Sequence, residues 1–316
     1  MRKALLLLSF LTLLPSGLLA GTSEETGSEE LPPEQVETEK APTRDDMEAV
    51  ADESASDDVD VDADDKEDAE SGFVLEGTDE EKGLAIAREA DRRNTGWGDS
   101  RAAMTMTLRN KNGGESIRNL RVKTLEVDGD GDKGLTIFDE PKDVQGTAFL
   151  SFSHAIEADD QWLYLPALKR VKRISSANKS GPFMGSEFAY EDLASFEIEK
   201  YEYKFVREDE VDGDKVYVVE MTPQYEYSGY TRQLAWIDQD EFRIRKIEFF
   251  DRKNAALKTL GFDDFKQYKD QYWRAHSQLM ENHQNGKSTL LEWSGYEFDT
   301  GLTDNDFNKN SLKRAK

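Results

Sequence analysis

The chain has no cysteine and only three histidines among its 316 residues. Without cysteine it can form no disulfide, carry no acyl group on an N-terminal cysteine and supply no thiolate to a zinc site. His154, His276 and His283 lie at neither helical nor alternating-strand spacing, so no metal site is indicated. A hydrolase built on Ser153 and His154 would lack the Gly-x-Ser-x-Gly elbow. We therefore expect no cofactor, no metal and no catalysis.

The sequence also lacks an apolar run long enough to cross a membrane. The apolar stretch from Leu5 to Leu14 is shorter than the roughly 20 residues that a span requires. Arg2 and Lys3 precede it, and Ala20 follows a Pro-Ser-Gly break. This pattern predicts a secretory signal peptide at residues 1–20, and hence a protein exported to a bacterial periplasm.

Positive charge is in short supply, with 41 basic against 66 acidic residues. Residues 22–70 alone hold 21 acidic and three basic side chains and no aromatic residue. This composition predicts an acidic disordered segment, at residues 21–76, that acts as a solvating spacer or as a tether for a basic partner. The remaining residues hold 36 basic and 45 acidic side chains, which argues against nucleic-acid binding.

The part from residue 77 to residue 316 has the patterns of a folded domain. Thr78 and Glu81 have the spacing of a capping box, which predicts a helix from Asp79 to Arg93. Short helices are expected at 187–193 and 304–313. Alternation of apolar and polar residues, with turn signals between the runs, predicts twelve strands, at 103–108, 116–127, 134–138, 147–152, 161–165, 197–207, 215–221, 231–237, 242–250, 256–262, 272–281 and 288–296.

Many short strands with few helices indicate a mainly β fold. We expect a strongly curved antiparallel sheet that forms an incomplete barrel, with helices as a lid. The run Asp128-Gly129-Asp130-Gly131-Asp132 resembles the start of a calcium loop, but Lys133 and Asp139 stand where that loop needs Gly and Glu. A polar turn is therefore predicted there.

The stretch from Trp162 to Leu193 begins apolar, becomes basic and ends in aromatic residues. Arg170 and Arg173 share a face if the segment is helical and point to opposite faces if it is extended. Phe183 and Met184, between two glycines, predict a movable apolar flap. A basic loop beside an apolar flap suits a ligand with an apolar body and an anionic head.

Two stretches resemble the signature of the outer-membrane lipoprotein-sorting protein family, relatives of the periplasmic lipoprotein carrier LolA. The first is WLYLPALKRVKRI from Trp162, continued by SGxFMGSxFxYED from Ser180. The second is Trp236-Ile237-Asp238 followed by Arg245-Lys246-Ile247-Glu248 and Asp251. The resemblance extends from about residue 80 to the end of the chain.

This resemblance implies an incomplete antiparallel barrel around a cavity that holds acyl chains, without catalysis. It also implies work beside inner-membrane lipid exporters of the resistance–nodulation–division type. We expect a monomeric periplasmic carrier of lipid or of lipoprotein acyl chains toward the outer membrane. The alternative is a non-carrying partner module of such an exporter. The candidate ligand-binding residues are Trp162, Tyr164, Leu165, Arg170, Arg173, Phe183, Met184, Phe188, Tyr190 and Trp236.

Overall fold

The computed structural model describes residues 73–314. The predicted signal peptide at residues 1–20 and all but the last four residues of the predicted acidic segment at residues 21–76 lie outside the described residues. Within 73–314, neither of the two α-helices is long and apolar enough to cross a bilayer.

Within residues 73–314, thirteen antiparallel strands form one sheet. They are β1 Asp99–Arg109, β2 Glu115–Leu125, β3 Lys133–Glu140, β4 Ala148–Phe152, β5 Asp160–Leu165, β6 Arg170–Ile174, β7 Tyr201–Val211, β8 Asp214–Pro223, β9 Tyr230–Asp238, β10 Ile244–Asp251, β11 Ala256–Tyr268, β12 Tyr272–Asn282 and β13 Ser288–Phe298. Twelve match the predicted strands, and β6 is the additional one. The polar turn predicted at Asp128–Asp132 lies between β2 and β3.

The order of the strands shows that the sheet does not close on itself. It runs from β6 through β5, β4, β3 and β2 to β1, which pairs with β13, and then back through β12 to β7. Strands β6 and β7 are therefore its two free edges, and the sheet is open. Leu163 of β5 and Phe249 of β10 nonetheless belong to one buried cluster, although a flat sheet would hold strands eight positions apart at roughly 40 Å. The sheet is thus strongly curved, as predicted.

The longest helix, α1 (Asp79–Asn94), begins at the predicted capping box. The Glu81 backbone N–H donates to Thr78 Oγ1 at 3.2 Å, and the Thr78 backbone N–H donates to Glu81 Oε2 at 2.7 Å. The helix buries Ile86 and Ala87 against inward-facing residues of β7, β8 and β9. Gly83 permits this approach, because a Cβ there would lie 2.7 Å from the backbone nitrogen of Lys204.

The convex face of the sheet has a smaller cluster of its own. Residues of β3, β4 and β5, among them Trp162, pack there under Leu302, Phe307 and Leu312. Leu312 lies on α2 (Lys309–Arg314), which follows a 3-10 turn at Asp304–Asp306. The helix predicted at 304–313 is therefore split in two.

Residues 175–200 connect the two edge strands of the sheet, β6 and β7, and form the crossing segment. The helix predicted at 187–193 is reduced to a 3-10 turn at Tyr190–Leu193. Ahead of it the backbone folds back on itself, since Phe183 N–H donates to the Phe188 carbonyl at 2.7 Å and Pro182 bridges to Ala189. The first residues of the predicted helix are therefore part of this hairpin-like loop, which leaves only the 3-10 turn.

Candidate functional site

The concave side of the sheet encloses a cavity with two adjoining compartments. The outer compartment measures about 1220 Å³ and the inner about 410 Å³. They share a wall that includes Val122, Ile244, Phe262 and Trp293. The inner volume falls within the roughly 300–1,000 Å³ that ligand sites occupy in proteins, and the outer volume is larger.

The inner compartment has a mostly apolar lining, because alternate residues of each strand point inward. Its apolar side chains include Met104, Met106, Phe149, Phe183, Phe188, Ile247, Phe249, Leu260 and Leu291. Gly134 of β3 also lines it, and a Cβ at this position would meet no atom within 4 Å. The compartment therefore has open space beside β3.

The crossing segment closes the interior at one end. Arg252 Nη2 donates to Ser180 Oγ at 3.3 Å, and Asn282 Nδ2 donates to Glu187 Oε2 at 2.7 Å. Arg252 and Asn282 lie at the turns after β10 and β12. In an antiparallel meander these turns lie opposite the turns after β9 and β11, which surround the outer compartment. The inner compartment thus has a floor, and the outer compartment has the opening.

A buried ion pair anchors this floor to the sheet. Lys258 Nζ lies 2.6 Å from Asp192 Oδ2, and both side chains are at most 5% exposed. Lys258 also donates to the Glu187 carbonyl at 2.9 Å, and the Tyr230 hydroxyl donates to Asp192 Oδ1 at 2.7 Å. Every charge in the group therefore has a partner, as buried charges require.

A second buried group ties the ends of the crossing segment to the turn between β4 and β5. Asp159 accepts from Lys179 Nζ at 2.9 Å and also pairs with Lys200. Nearby, Glu191 accepts from the backbone N–H of Gly229 at 2.9 Å. Burial raises the pKa of Glu191 above its usual range. The crossing segment is thus held in place at several points along its length.

Five of the ten candidate residues meet in this interior. Phe183 and Phe188 line the inner compartment, and Leu165, Met184 and Tyr190 pack against the same cluster. Phe183 is only 1% exposed, and its ring packs against those of Phe149 and Tyr190, with centroids 5.2 and 5.5 Å away. The aromatic motif therefore forms the floor of the cavity, whereas the sequence suggested a flap over an apolar site.

Three candidates point away from the cavity. Trp162 and Tyr164 face the convex cluster under α2. Trp236 packs on Val216 and Val218, and its indole N–H donates to Asp209 Oδ2 at 3.1 Å. Strand alternation explains the placement, because the inward residues of β5 are the neighbouring Leu163 and Leu165.

The two arginine candidates lie on the free edge strand β6. Arg170 and Arg173 are exposed, and Arg173 forms an ion pair with Asp160 of β5. The sequence left open whether this segment is helical or extended, and the structure shows an extended strand. Leu168, in the turn before β6, is 63% exposed. This basic hairpin lies at the free edge of the sheet, and neither arginine lines the cavity.

The outer compartment could not be predicted from the sequence, because its rim comes from segments far apart in the chain. Acidic side chains from three of these segments are Asp91, Asp132 and Glu197. Burial raises the pKa of all three, that of Asp132 to about 7. The rim thus combines desolvated carboxyl groups with arginines of α1, of β12 and of the turn between β9 and β10.

The histidines take part in separate local contacts. His154 Nδ1 lies 2.9 Å from Asp130 Oδ2, and His276 Nδ1 lies 2.8 Å from the Trp293 carbonyl. Ser153 Oγ accepts from the Ser195 backbone N–H at 2.8 Å. Within residues 73–314, no group of three or more potential ligands could hold a metal ion.

Comparison with known proteins places this fold in a family. Residues 130–314 match a family model whose description reads "uncharacterized protein". A search of curated proteins gave no match. A crystal structure from Vibrio parahaemolyticus, described as an outer membrane lipoprotein-sorting protein domain, is 62% identical. It covers 74% of this chain and 99% of its own, with a TM-score of 0.73.

Two further structures share the architecture. A DUF1329 family protein from Desulfovibrio piger is 29% identical over 75% of this chain and 100% of its own, with a TM-score of 0.71. A LolA superfamily protein from Nitrosomonas europaea is 22% identical over 72% of this chain and 98% of its own, with a TM-score of 0.59, which shows the fold alone. The curved open sheet around a cavity is thus a LolA-like fold. The chain belongs to the outer-membrane lipoprotein-sorting protein family, as its motifs indicated.

Proposed function

We propose that this protein carries a lipid, or the acyl chains of a lipoprotein, in its cavity for transfer toward the outer membrane. The observation that carries the proposal is the apolar inner compartment, closed at its far end by the anchored crossing segment. Membership of the lipoprotein-sorting family supports it. We expect the protein to act as a monomer without catalysis or cofactor.

The size of the inner compartment fits one acyl chain. Its volume of about 410 Å³ has room for roughly 14 methylene groups, if each occupies about the 30 Å³ of a water molecule in the liquid. At about 0.8 kcal/mol per buried methylene, such a chain would gain roughly 10 kcal/mol before the entropic cost of binding. The gain is large enough for stable capture.

We expect the protein to act in the periplasm, because of the N-terminal part of its sequence. The predicted signal peptide at residues 1–20 supports export to the periplasm, followed by its removal. Residues 21–76 would then precede a carrier domain at residues 77–316. The domain would release its cargo through the outer compartment, since the crossing segment closes the other end.

A cavity-filling substitution tests the proposal. Gly134→Leu directs a side chain into the inner compartment without a clash at its Cβ. We expect uptake of a fluorescent fatty acid to fall at least tenfold. Gly261→Leu is the matched control, because Gly261 also has open space at Cβ but does not line the cavity. Equal uptake by the two variants, or no uptake by the unmodified protein, would argue against carriage of acyl chains.

The exposed hairpin favours a second candidate function, that of a docking module for an inner-membrane exporter of the resistance–nodulation–division type. Leu168, Arg170 and Arg173 are exposed at a free sheet edge, where a partner can reach them. A crosslinking pull-down with Arg170 and Arg173 replaced by Glu tests it. The control variant carries the same replacement by Glu at two other exposed basic residues, Arg101 and Lys111. Loss of the partner with retained lipid uptake, seen only for the β6 variant, would support docking.

A further inference from the structure

Four arginines line the outer compartment, and one of them differs from the rest. Arg92 and Arg93 pair with Glu89 at 2.8 and 2.6 Å, and Arg243 pairs with Asp238 at 2.7 Å. The fourth, Arg274 of β12, has no carboxylate within 4 Å among residues 73–314. A partly buried cation without a counter-ion is costly, so this exception calls for an explanation.

The surroundings of Arg274 fix its guanidinium and leave part of it free. Both of its hydrogen bonds use Nη1, which donates to Asn94 Oδ1 at 2.7 Å and to the Trp273 carbonyl at 2.9 Å. Three rings surround the group, those of Trp97, Tyr272 and Phe298, with centroids 5.5 to 6.0 Å from Cζ. The donors on Nε and Nη2 therefore remain available for a bidentate anion.

The nearby acids do not neutralise this cation by direct contact. Glu126 accepts the backbone N–H groups of Gly96 and Gly98 at 2.6 and 2.7 Å, which satisfies both its oxygens. Asp132 acts on Arg274 only at longer range, and burial raises its pKa to about 7. The phenols of Tyr272 and Tyr296 are the other titratable groups that face Arg274. Burial lowers the pKa of Arg274 itself, so its charge lacks full compensation.

We propose that Arg274 binds the anionic head of the cargo, a phosphate or a carboxylate, while the acyl chain occupies the inner compartment. This inference rests on the proposed function and adds a head-group site to it. The geometry favours an anion with two oxygens in one plane, because Nε and Nη2 of one guanidinium donate in parallel. The anion site thus lies at Arg274, inside the opening, and the arginines of β6 take no part in it.

The test compares three lipids of equal chain length: palmitate, lysophosphatidylglycerol with a palmitoyl chain, and uncharged monopalmitoylglycerol. Their dissociation constants are measured for the unmodified protein, Arg274→Gln and Arg274→Lys. A charge-assisted bidentate contact is worth about a 10- to 100-fold change in affinity. We expect Arg274→Gln to lose about that factor for the charged lipids alone, and Arg274→Lys to lose less. Whether palmitate or the phospholipid loses more identifies the head group.

Arg92→Gln is the matched control, because Arg92 lines the same compartment but is paired and well exposed. It should bind all three lipids as the unmodified protein does. Thermal unfolding checks that Arg274→Gln is folded, and if it is not, Arg274→Lys carries the comparison. Equal loss for all three lipids would indicate a structural role and overturn the inference. Equal affinity of the unmodified protein for charged and uncharged lipids would also overturn it, while leaving the carrier function intact. Failure to bind any of the three would count against both.

Discussion

The anchor of the crossing segment is open to a quantitative test through Lys258→Met. The substitution keeps the aliphatic bulk of the side chain but removes the ammonium group that lies 2.6 Å from Asp192. Asp192 then keeps only the Tyr230 hydroxyl and the backbone N–H of Ala189 as donors. Removing one partner of a buried pair typically costs 3–5 kcal/mol. The two remaining donors should keep the loss near the lower end, at about 3 kcal/mol.

Chemical denaturation, followed by tryptophan fluorescence, measures this loss. Lys253→Met, at the exposed turn just before β11, is the control and should change the free energy of unfolding by less than about 0.5 kcal/mol. Adding Asp192→Asn to Lys258→Met removes the unpaired charge. The double variant should therefore be more stable than the sum of the single effects predicts, by about 1 kcal/mol or more. A loss below about 1 kcal/mol for Lys258→Met would refute the idea that this pair holds the floor in place.

Two further substitutions test other parts of the structure. Gly83→Ala should lower the free energy of unfolding by about 1–3 kcal/mol, because the new Cβ would meet backbone atoms of Lys204 at 2.7 and 2.8 Å. An unchanged denaturation midpoint would contradict this contact between α1 and β7. Asp132→Asn tests the pH dependence of stability. The pKa of Asp132 is about 7 in the folded protein and 3.8 in the unfolded chain, so between these values the folded protein binds a proton that the unfolded chain does not. The contribution of Asp132 to stability therefore falls as pH rises from 4 to 7. The stability of Asp132→Asn relative to the unmodified protein should therefore improve by up to about 4 kcal/mol between pH 4 and pH 8, and parallel stability curves would show that Asp132 ionises normally.

Much of the sheet could be predicted because its strands alternate visibly between apolar and polar residues. Strand β6 was missed since charged side chains occupy three of its five positions, which hides the alternation. An edge strand exposed to solvent tolerates such residues, and charge there also discourages pairing with other chains. The sequence therefore left the conformation of Arg170 and Arg173 undecided.

The direction of side chains was harder to predict than the strands themselves. On β5, Trp162 and Tyr164 pack in one cluster and Leu163 and Leu165 in another, because the sheet buries both of its faces there. Alternation shows which residues share a face, but it does not show which face is concave. That choice depends on the curvature of the whole sheet.

The floor and the outer compartment depend on contacts between residues far apart in the chain. Asp192 and Lys258 are 66 residues apart, and Asn94 and Arg274 are 180 apart. No local pattern encodes such pairs. The signal that could have drawn attention to Arg274 is its position directly after Tyr272 and Trp273 in an otherwise well-patterned strand.

Native mass spectrometry of the protein purified from its own host tests whether the cavity holds acyl chains. We expect a bound mass that leaves on denaturation and is identified as an acyl lipid. We also expect that Gly134→Leu, purified in the same way, carries much less of it. A protein that emerges without lipid, and that takes up none when offered, would contradict the carriage of acyl chains in this cavity.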